Sequence, residues 1–292
     1  MRAITLVNDK GGVGKTTVCY GLASILAYLS NKGVPSYKRK KVLMIDMDHQ
    51  SALSKLCLGE GYYEIDQKKQ TIMRLFYDPA YSGREVILPT KQDYLEIVPA
   101  SRMLSATDVM SKDFSYDILK NYLSQLEEEY EYVIIDNHPD YALNTRISLY
   151  TADYVILPVV PEILAITGIK EILEVLDSLE EVIGKKINVI GTFANKVDER
   201  LNVHKNNLKS LKGSLKDNFF DNFIHESAVI KSALEEGKTI IEIYKANRSY
   251  REFKKLAEEC IERIEKHEKS SEKEGVRWWL IIILHKNIMK KK

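Results

Sequence analysis

Residues 7–17 read VNDKGGVGKTT, and this run decides the fold. Its close, Gly14-Lys15-Thr16, is the end of the phosphate-loop pattern G-x-x-x-x-G-K-[ST], while Lys10 opens the loop ahead of Gly11 and Gly12. The run follows an apolar strand-like stretch, AITLVN, and precedes a helical one from about residue 15 to 29. A strand, a glycine-rich turn and a helix N-terminus together aim backbone N–H groups at an anion, and a lysine and a hydroxyl complete the cradle. Gly11, Gly12, Val13, Gly14, Lys15, Thr16 and Thr17 are therefore the candidate nucleotide-binding residues, with Lys15 on the phosphates and Thr16 on a Mg²⁺ ion. An ordinary loop of this kind needs one lysine. This one carries two.

Working outward, further short runs rich in Val and Ile recur: KVLMID, YLEIVPA, YVIIDN, YVILPVV, INVIGTF and FIHES, most of them separated by longer amphipathic segments. That alternation predicts an α/β chain, a three-layer P-loop fold with a mostly parallel twisted sheet flanked by helices on both faces. In such a sheet, function collects at the carboxyl ends of the strands. Two of those ends are acidic: KVLMID with the following MD supplies Asp46 and Asp48, and YVIIDN supplies Asp136. Carboxylates beside a phosphate loop can hold the water shell of Mg²⁺ or orient an attacking water, although aspartate also commonly caps the following helix. Thr16, Asp46 and Asp136 are the candidate metal ligands.

Composition narrows the class. The 292 residues, 45% hydrophobic, suffice for one large domain, and the net charge of +1 leaves any nucleic-acid binding to a local patch. Three cysteines, Cys19, Cys57 and Cys260, stand far apart, which excludes a paired-cysteine metal motif and suggests a reducing, cytoplasmic setting. The first strand begins at once, so neither a leader nor a preceding DNA-reading domain is expected. The linker-like EKSSEKEG places the domain boundary near His267, giving residues 1–267 as the phosphate-loop domain and 268–292 as a charged, apolar and basic tail.

KGGVGKTT together with IDMDHQ, IIDNHP, ADYVILPVVPE, LEIVPAS and ALEEGKTIIE resembles the ParA family of two-lysine P-loop partition ATPases, within the wider ParA and MinD group, over roughly residues 1–265. The resemblance implies an ATP- and Mg²⁺-dependent homodimer in which Lys10 reaches the partner's nucleotide. It also implies that Lys15 and Thr16 take the phosphate and metal roles, that Asp48 positions the hydrolytic water and that Asp136 supports the metal. Lys10, Lys15 and Asp48 are thus the candidate catalytic residues. The cross-subunit role has its own physical sense, because two ammonium groups in one loop repel unless phosphate draws one of them elsewhere.

The chain departs from the family in places. Relatives commonly have proline after the second aspartate and a threonine-proline-proline type run after the later strand, where this chain has His49 and the segment DNHPDY. His49 and His138 are expected to face solvent, no catalytic logic demanding an imidazole there. Asn195-Lys196-Val197-Asp198 has the form of a guanine-reading motif, yet related ATPases place polar residues at the same strand end, so Asn195 is assigned to the nucleotide site and ATP is favoured over GTP.

Lys205, Lys209, Lys212 and Lys216 recur at helical spacing, opposite Leu208, Leu211 and Leu215, as a stripe suited to phosphate contacts without base reading. Family members use arginines near the segment aligned with IHESAVIK, where this chain offers Glu226, Val229 and Lys231, so Lys231 joins the candidate DNA-binding set. The tail GVRWWLIIILHKNIMKKK is similar to the basic membrane-attaching helix of MinD-like ATPases, which makes membrane binding the less favoured alternative. The resulting expectation is a cytoplasmic, nucleoid-associated ATPase that partitions plasmid or chromosomal DNA, binding DNA nonspecifically and hydrolysing ATP slowly until a ParB-like protein stimulates it. A membrane-cycling positioning ATPase and a nucleotide-binding scaffold with little turnover are the alternatives.

Overall fold

In the computed structural model, residues 1–106, 115–243, 245 and 247–270 are described. Strands β1 (Arg2–Leu6), β2 (Lys41–Asp46), β3 (Leu88–Pro89), β4 (Leu95–Val98), β5 (Tyr130–Asp136), β6 (Tyr154–Val159) and β7 (Val189–Ala194) form one sheet in the order β3-β4-β2-β5-β1-β6-β7. All neighbours are parallel except the edge pair β3 and β4. Pro89 lacks an N–H to donate and is tolerated on that edge.

The helices are α1 (Lys15–Asn31), α2 (Ala52–Leu58), α3 (Tyr62–Gln67), α4 (Met73–Tyr77), α5 (Ile118–Ser124), α6 (Leu143–Thr151), α7 (Ala165–Ile183), α8 (Asn202–Leu215), α9 (Ala228–Glu235) and α10 (Arg248–Ser270). Although the strands read as continuous apolar runs, alternate residues serve opposite layers. Ile4, Leu6, Met44, Ile97, Ile134 and Ile156 pack with α1 and α10, whereas Leu43, Ile45, Val98, Val133 and Ile135 pack with α4, α5 and α6. Toward the β7 edge, Val155, Leu157 and Val159 meet the α7 stripe of Ile169, Ile172, Leu176 and Leu179. The three-layer expectation is met.

Helix α1 is sandwiched between the sheet and α10, and at Gly21 a Cβ would stand 2.2 Å from the ring of the fully buried Phe253. Gly21→Ala gains about 1 kcal/mol of helix propensity but forces a ring that has no room to move, an overpacking cost of about 1–3 kcal/mol. The expected result is a lower urea midpoint at unchanged m-value. A midpoint equal to the parent's would show that α10 yields easily.

Two sequence expectations need correction. FIHES, residues 223–227, forms no strand: it makes one isolated bridge, between His225 and Val197, and a second joins Phe219 ahead of it to Thr192 of β7. The Asp221 and Asn222 N–H groups just ahead of it donate to the Glu259 carboxylate at 2.8 and 2.9 Å, and the His225 N–H to the Glu252 carboxylate at 3.0 Å, so no regular ladder runs through the segment. Lys216 is not on the helical stripe either. It follows the last residue of α8 with φ +48°, so its direction departs from that of Lys205, Lys209 and Lys212. The last helix continues past His267 to Ser270, and the tail proposed for membrane contact lies outside the described residues. Among the described residues, no helix is long and apolar enough to cross a membrane.

Candidate nucleotide and metal site

The sheet order places β1 between β5 and β6, so the loop after β1 opens beside the end of β5, with β2 one strand further. The register pairs Asp46 with Asp136 directly across β2 and β5. Phosphate loop and acidic strand ends therefore share one rim, where α/β sheets bind ligands.

Gly14 caps α1 in the left-handed region at φ +90°, and a Cβ there would meet Asn195 Nδ2 at 2.5 Å. Only glycine fits. No side chain caps α1, so the N–H groups of its first turn, around Thr16 and Thr17, are left to an outside acceptor. Gly11 and Gly12 are exposed at the crest of the loop, while Val13 is buried beneath it. Asn195 Nδ2 donates to the Val13 carbonyl at 2.7 Å and Lys196 Nζ to the Gly12 carbonyl at 2.7 Å, so the strand-end pair braces the loop from below. Asp198, the acid of the guanine-reading pattern, accepts a two-pronged hydrogen bond from Arg200, which holds it well below the usual carboxylate range.

The two lysines separate completely. Lys15 is buried, its Nζ donating to the Asn8 carbonyl at 2.8 Å, and burial pushes its pKa down against the pull of Asp136, Asp48 and Asp9. Lys10 is exposed and lies along α7, its Nζ 3.7 Å from where a Cβ of Gly168 would stand. The same buried Asn8 spaces them: its Oδ1 accepts from the Lys10 backbone N–H at 2.8 Å, and its Nδ2 donates to the Pro158 carbonyl at 2.7 Å.

The acids differ as sharply. Asp46 Oδ2 accepts from Ser54 N and Oγ at 2.8 and 2.6 Å, and Oδ1 from Asp48 N at 3.1 Å. Burial raises its pKa and the Ser54 bonds oppose the rise. Asp136 is fully buried, and neither of its oxygens has a well-formed hydrogen bond among the described residues. Its pKa is raised by burial and then by the charge of Asp46, with the adjacent Thr16 hydroxyl and Lys15 pulling the other way. Such an orphaned carboxylate is costly unless a cation completes it. With Thr16 beside it, the donor set is all oxygen and fits Mg²⁺. Asp46, already holding three hydrogen bonds, stands as its neighbour across the strands. Asp48 is nearly buried and accepts from Gln50 N at 2.8 Å.

His49 and His138, expected to face solvent, instead meet each other, with ring centroids 4.4 Å apart. Asn8, Ser54 and Asn137 were not singled out from the sequence. Asn137, buried next to Asp136, donates to Thr5 Oγ1 at 2.6 Å and ties β5 to β1. The available signal was positional, since Asn8 and Asn137 are amides placed just beyond a strand end. The candidate DNA-binding lysines lie elsewhere. Lys205, Lys209 and Lys212 are exposed on α8, Lys212 also donating to the Asp221 carbonyl at 3.2 Å, and Lys231 is paired with Glu226 at 2.6 Å.

Comparison with known proteins agrees with this geometry. The family model described as AAA domain, AAA_31, matches residues 1–189. An uncharacterized protein of Methanocaldococcus jannaschii is 30% identical, covering 90% of this chain and 100% of its own. The chromosome partitioning protein ParA of Myxococcus xanthus is 28% identical over 82% of this chain and 81% of its own. Among solved structures, an ATP complex of Cyanothece McdA superposes with a TM-score of 0.73 at 22% identity, over 90% of this chain and 96% of that one. By its two-lysine loop, the match over residues 1–189 and these relatives, the chain belongs to the AAA_31 family of AAA domains and is a ParA-type member of it.

Proposed function

We propose that the protein is a cytoplasmic ATPase that dimerises on binding ATP, holds DNA without sequence preference while dimeric, and is released when a ParB-like partner stimulates hydrolysis, so that plasmid or chromosomal DNA is partitioned. The observation that carries this reading is the division of labour between the lysines: Lys15 is buried at the first position of α1, and Lys10 is exposed on the rim. ATP is favoured over GTP because Asp198 is engaged by Arg200 and Asn195 by the loop itself.

In this reading the first turn of α1 and Lys15 bind the phosphates. Thr16 and Asp136, beside Asp46, hold the cation. Bound there, Mg²⁺ would neutralise charge on the phosphate oxygens. Asp48 orients a water, its carboxylate fixed by the Gln50 N–H. Lys10 supplies positive charge to the nucleotide of the second protomer.

On the DNA side, the exposed Lys205, Lys209 and Lys212 of α8 contact phosphates, supplemented by Lys216 and Lys231. Each neutralised phosphate contributes about −0.9 to the slope of log affinity against log salt.

Co-sedimentation with plasmid DNA or anionic liposomes, in ATP or ADP and at two salt concentrations, tests this. Pelleting with DNA that needs ATP and weakens with salt is expected. Pelleting with liposomes that disappears on removing residues 276–292 would replace this reading with a membrane-cycling one, and ATP binding without turnover would replace it with a scaffold.

A further inference from the structure

His49 and His138 take no part in the chemistry above. They are neighbours because β2 and β5 are parallel neighbours in register, so residues three places past Asp46 and two past Asp136 emerge together on the rim. The rings are tilted by 33°, and the side chains are 28% and 27% exposed. One ligand atom from each of Asp48, His49 and His138 lies within 4.8 Å of the others, with His49 Nδ1 3.9 Å from Asp48 Oδ1.

Ligand atoms bound at about 2.0–2.1 Å around a tetrahedral ion stand roughly 3.4 Å apart, so side-chain rotations of about 1 Å close this set. Two imidazoles and a carboxylate suit borderline ions such as Zn²⁺, Co²⁺ or Fe²⁺, whereas Mg²⁺ takes oxygen ligands. The site is also braced from outside. His138 Nδ1 bonds to Asp140 Oδ2 at 2.8 Å, and Asp140 Oδ1 accepts from Ala142 N at 3.1 Å. A carboxylate on one imidazole nitrogen orients the ring and leaves the other nitrogen as the free donor, the usual support of a metal-ligating histidine. Gln50 Nε2 donates to His49 Nε2 at 3.0 Å, which puts the ring proton on Nδ1 facing Asp48, so ligation through Nδ1 displaces that proton and turns the Gln50 amide to offer its oxygen to Nε2.

We propose that Asp48, His49 and His138 form a binding site for a divalent transition-metal ion of the Zn²⁺ class, distinct from the Mg²⁺ position at Thr16 and Asp136, and that its occupation withholds Asp48 from the hydrolytic water and slows ATP turnover. The binding half stands on the geometry alone. The inhibitory half rests on the role given to Asp48 above.

The test titrates the untagged full chain, free of nucleotide, with Co²⁺ and follows the visible d–d absorption. One ion per chain is expected, with the band lost in His49→Gln and His138→Gln and affinity weakened about 10–100-fold in Asp140→Asn. Circular dichroism melts of each variant confirm folding. No band, or a band retained in both histidine variants, overturns the site. Turnover of Mg²⁺-ATP is then measured with free Zn²⁺ set by a metal buffer. Inhibition of the parent and insensitivity of His138→Gln relative to its own basal rate support the inhibitory half, and Co²⁺ binding without Zn²⁺ inhibition overturns that half. A chain that binds Co²⁺ as expected but hydrolyses no ATP would instead overturn the proposed activity and leave the site standing.

Discussion

Lys10→Ala is expected to lower ATP turnover by about 10²–10³-fold, the cost of removing one preorganised charge from a transferring phosphoryl group, and to abolish ATP-dependent dimerisation, while nucleotide affinity changes only a few-fold. The asymmetry follows from where the two ammonium groups sit. Lys15 is enclosed, its charge already partly desolvated and held by the Asn8 carbonyl, so exchanging that carbonyl for phosphate is a small local movement. Lys10 lies outside, along α7 at Gly168. Acting within its own protomer, it would have to leave that surface and approach a second cation. Acting across a dimer, it meets the partner's phosphates without that penalty. Turnover, fluorescence titration with an ATP analogue and analytical ultracentrifugation in ATP check the three parts. A loss of nucleotide affinity matching the loss of turnover would assign Lys10 to its own protomer.

Asp136→Asn is expected to move stability and activity in opposite directions. In the ligand-free protein this carboxyl group is buried, lies across from Asp46 and has no well-formed hydrogen bond among the described residues, so replacing it removes the cost of holding its proton or burying its charge and stabilises the fold by on the order of 1–3 kcal/mol. The pH dependence has a definite sign. The folded-state pKa is raised above the ordinary 3.8, so the native chain keeps a proton that the unfolded chain releases. Stability therefore falls as pH rises from that value through the raised one, opposite to a salt-bridged carboxylate. Urea midpoints across a pH series, without Mg²⁺ or nucleotide, should show this slope in the parent and a flatter one in the variant. Turnover in Mg²⁺-ATP should fall by about 10²-fold or more as the cation loses its buried anionic partner. A variant that is less stable at neutral pH would show that Asp136 is satisfied in the free protein.

Features that depend on local order along the chain are legible in the residues themselves. The phosphate loop is legible because glycine, lysine and hydroxyl must follow one another between a strand and a helix. The sheet layers are legible because strand and helix periods write themselves into apolar spacing. Asp46 and Asp136 could be named because each ends an apolar run, and parallel strands bring such ends to one rim. FIHES misled because its backbone meets the β7 side only through Ala194 and Val197, while the His225 N–H goes to the Glu252 carboxylate, 27 positions away.

Relations between distant segments emerge only in the folded chain. Asn195 braces the loop at Val13 from 182 positions away, and Asn137 reaches Thr5 across 132. Neither pairing leaves a mark on local spacing. That Asp136 is orphaned while Asp46 is fully bonded is invisible in two similar strand ends, because it turns on Ser54 reaching one and not the other. The two histidines show the same limit. Each looks like a solvent-facing residue in its own segment, and the register between β2 and β5 brings the two together beside Asp48.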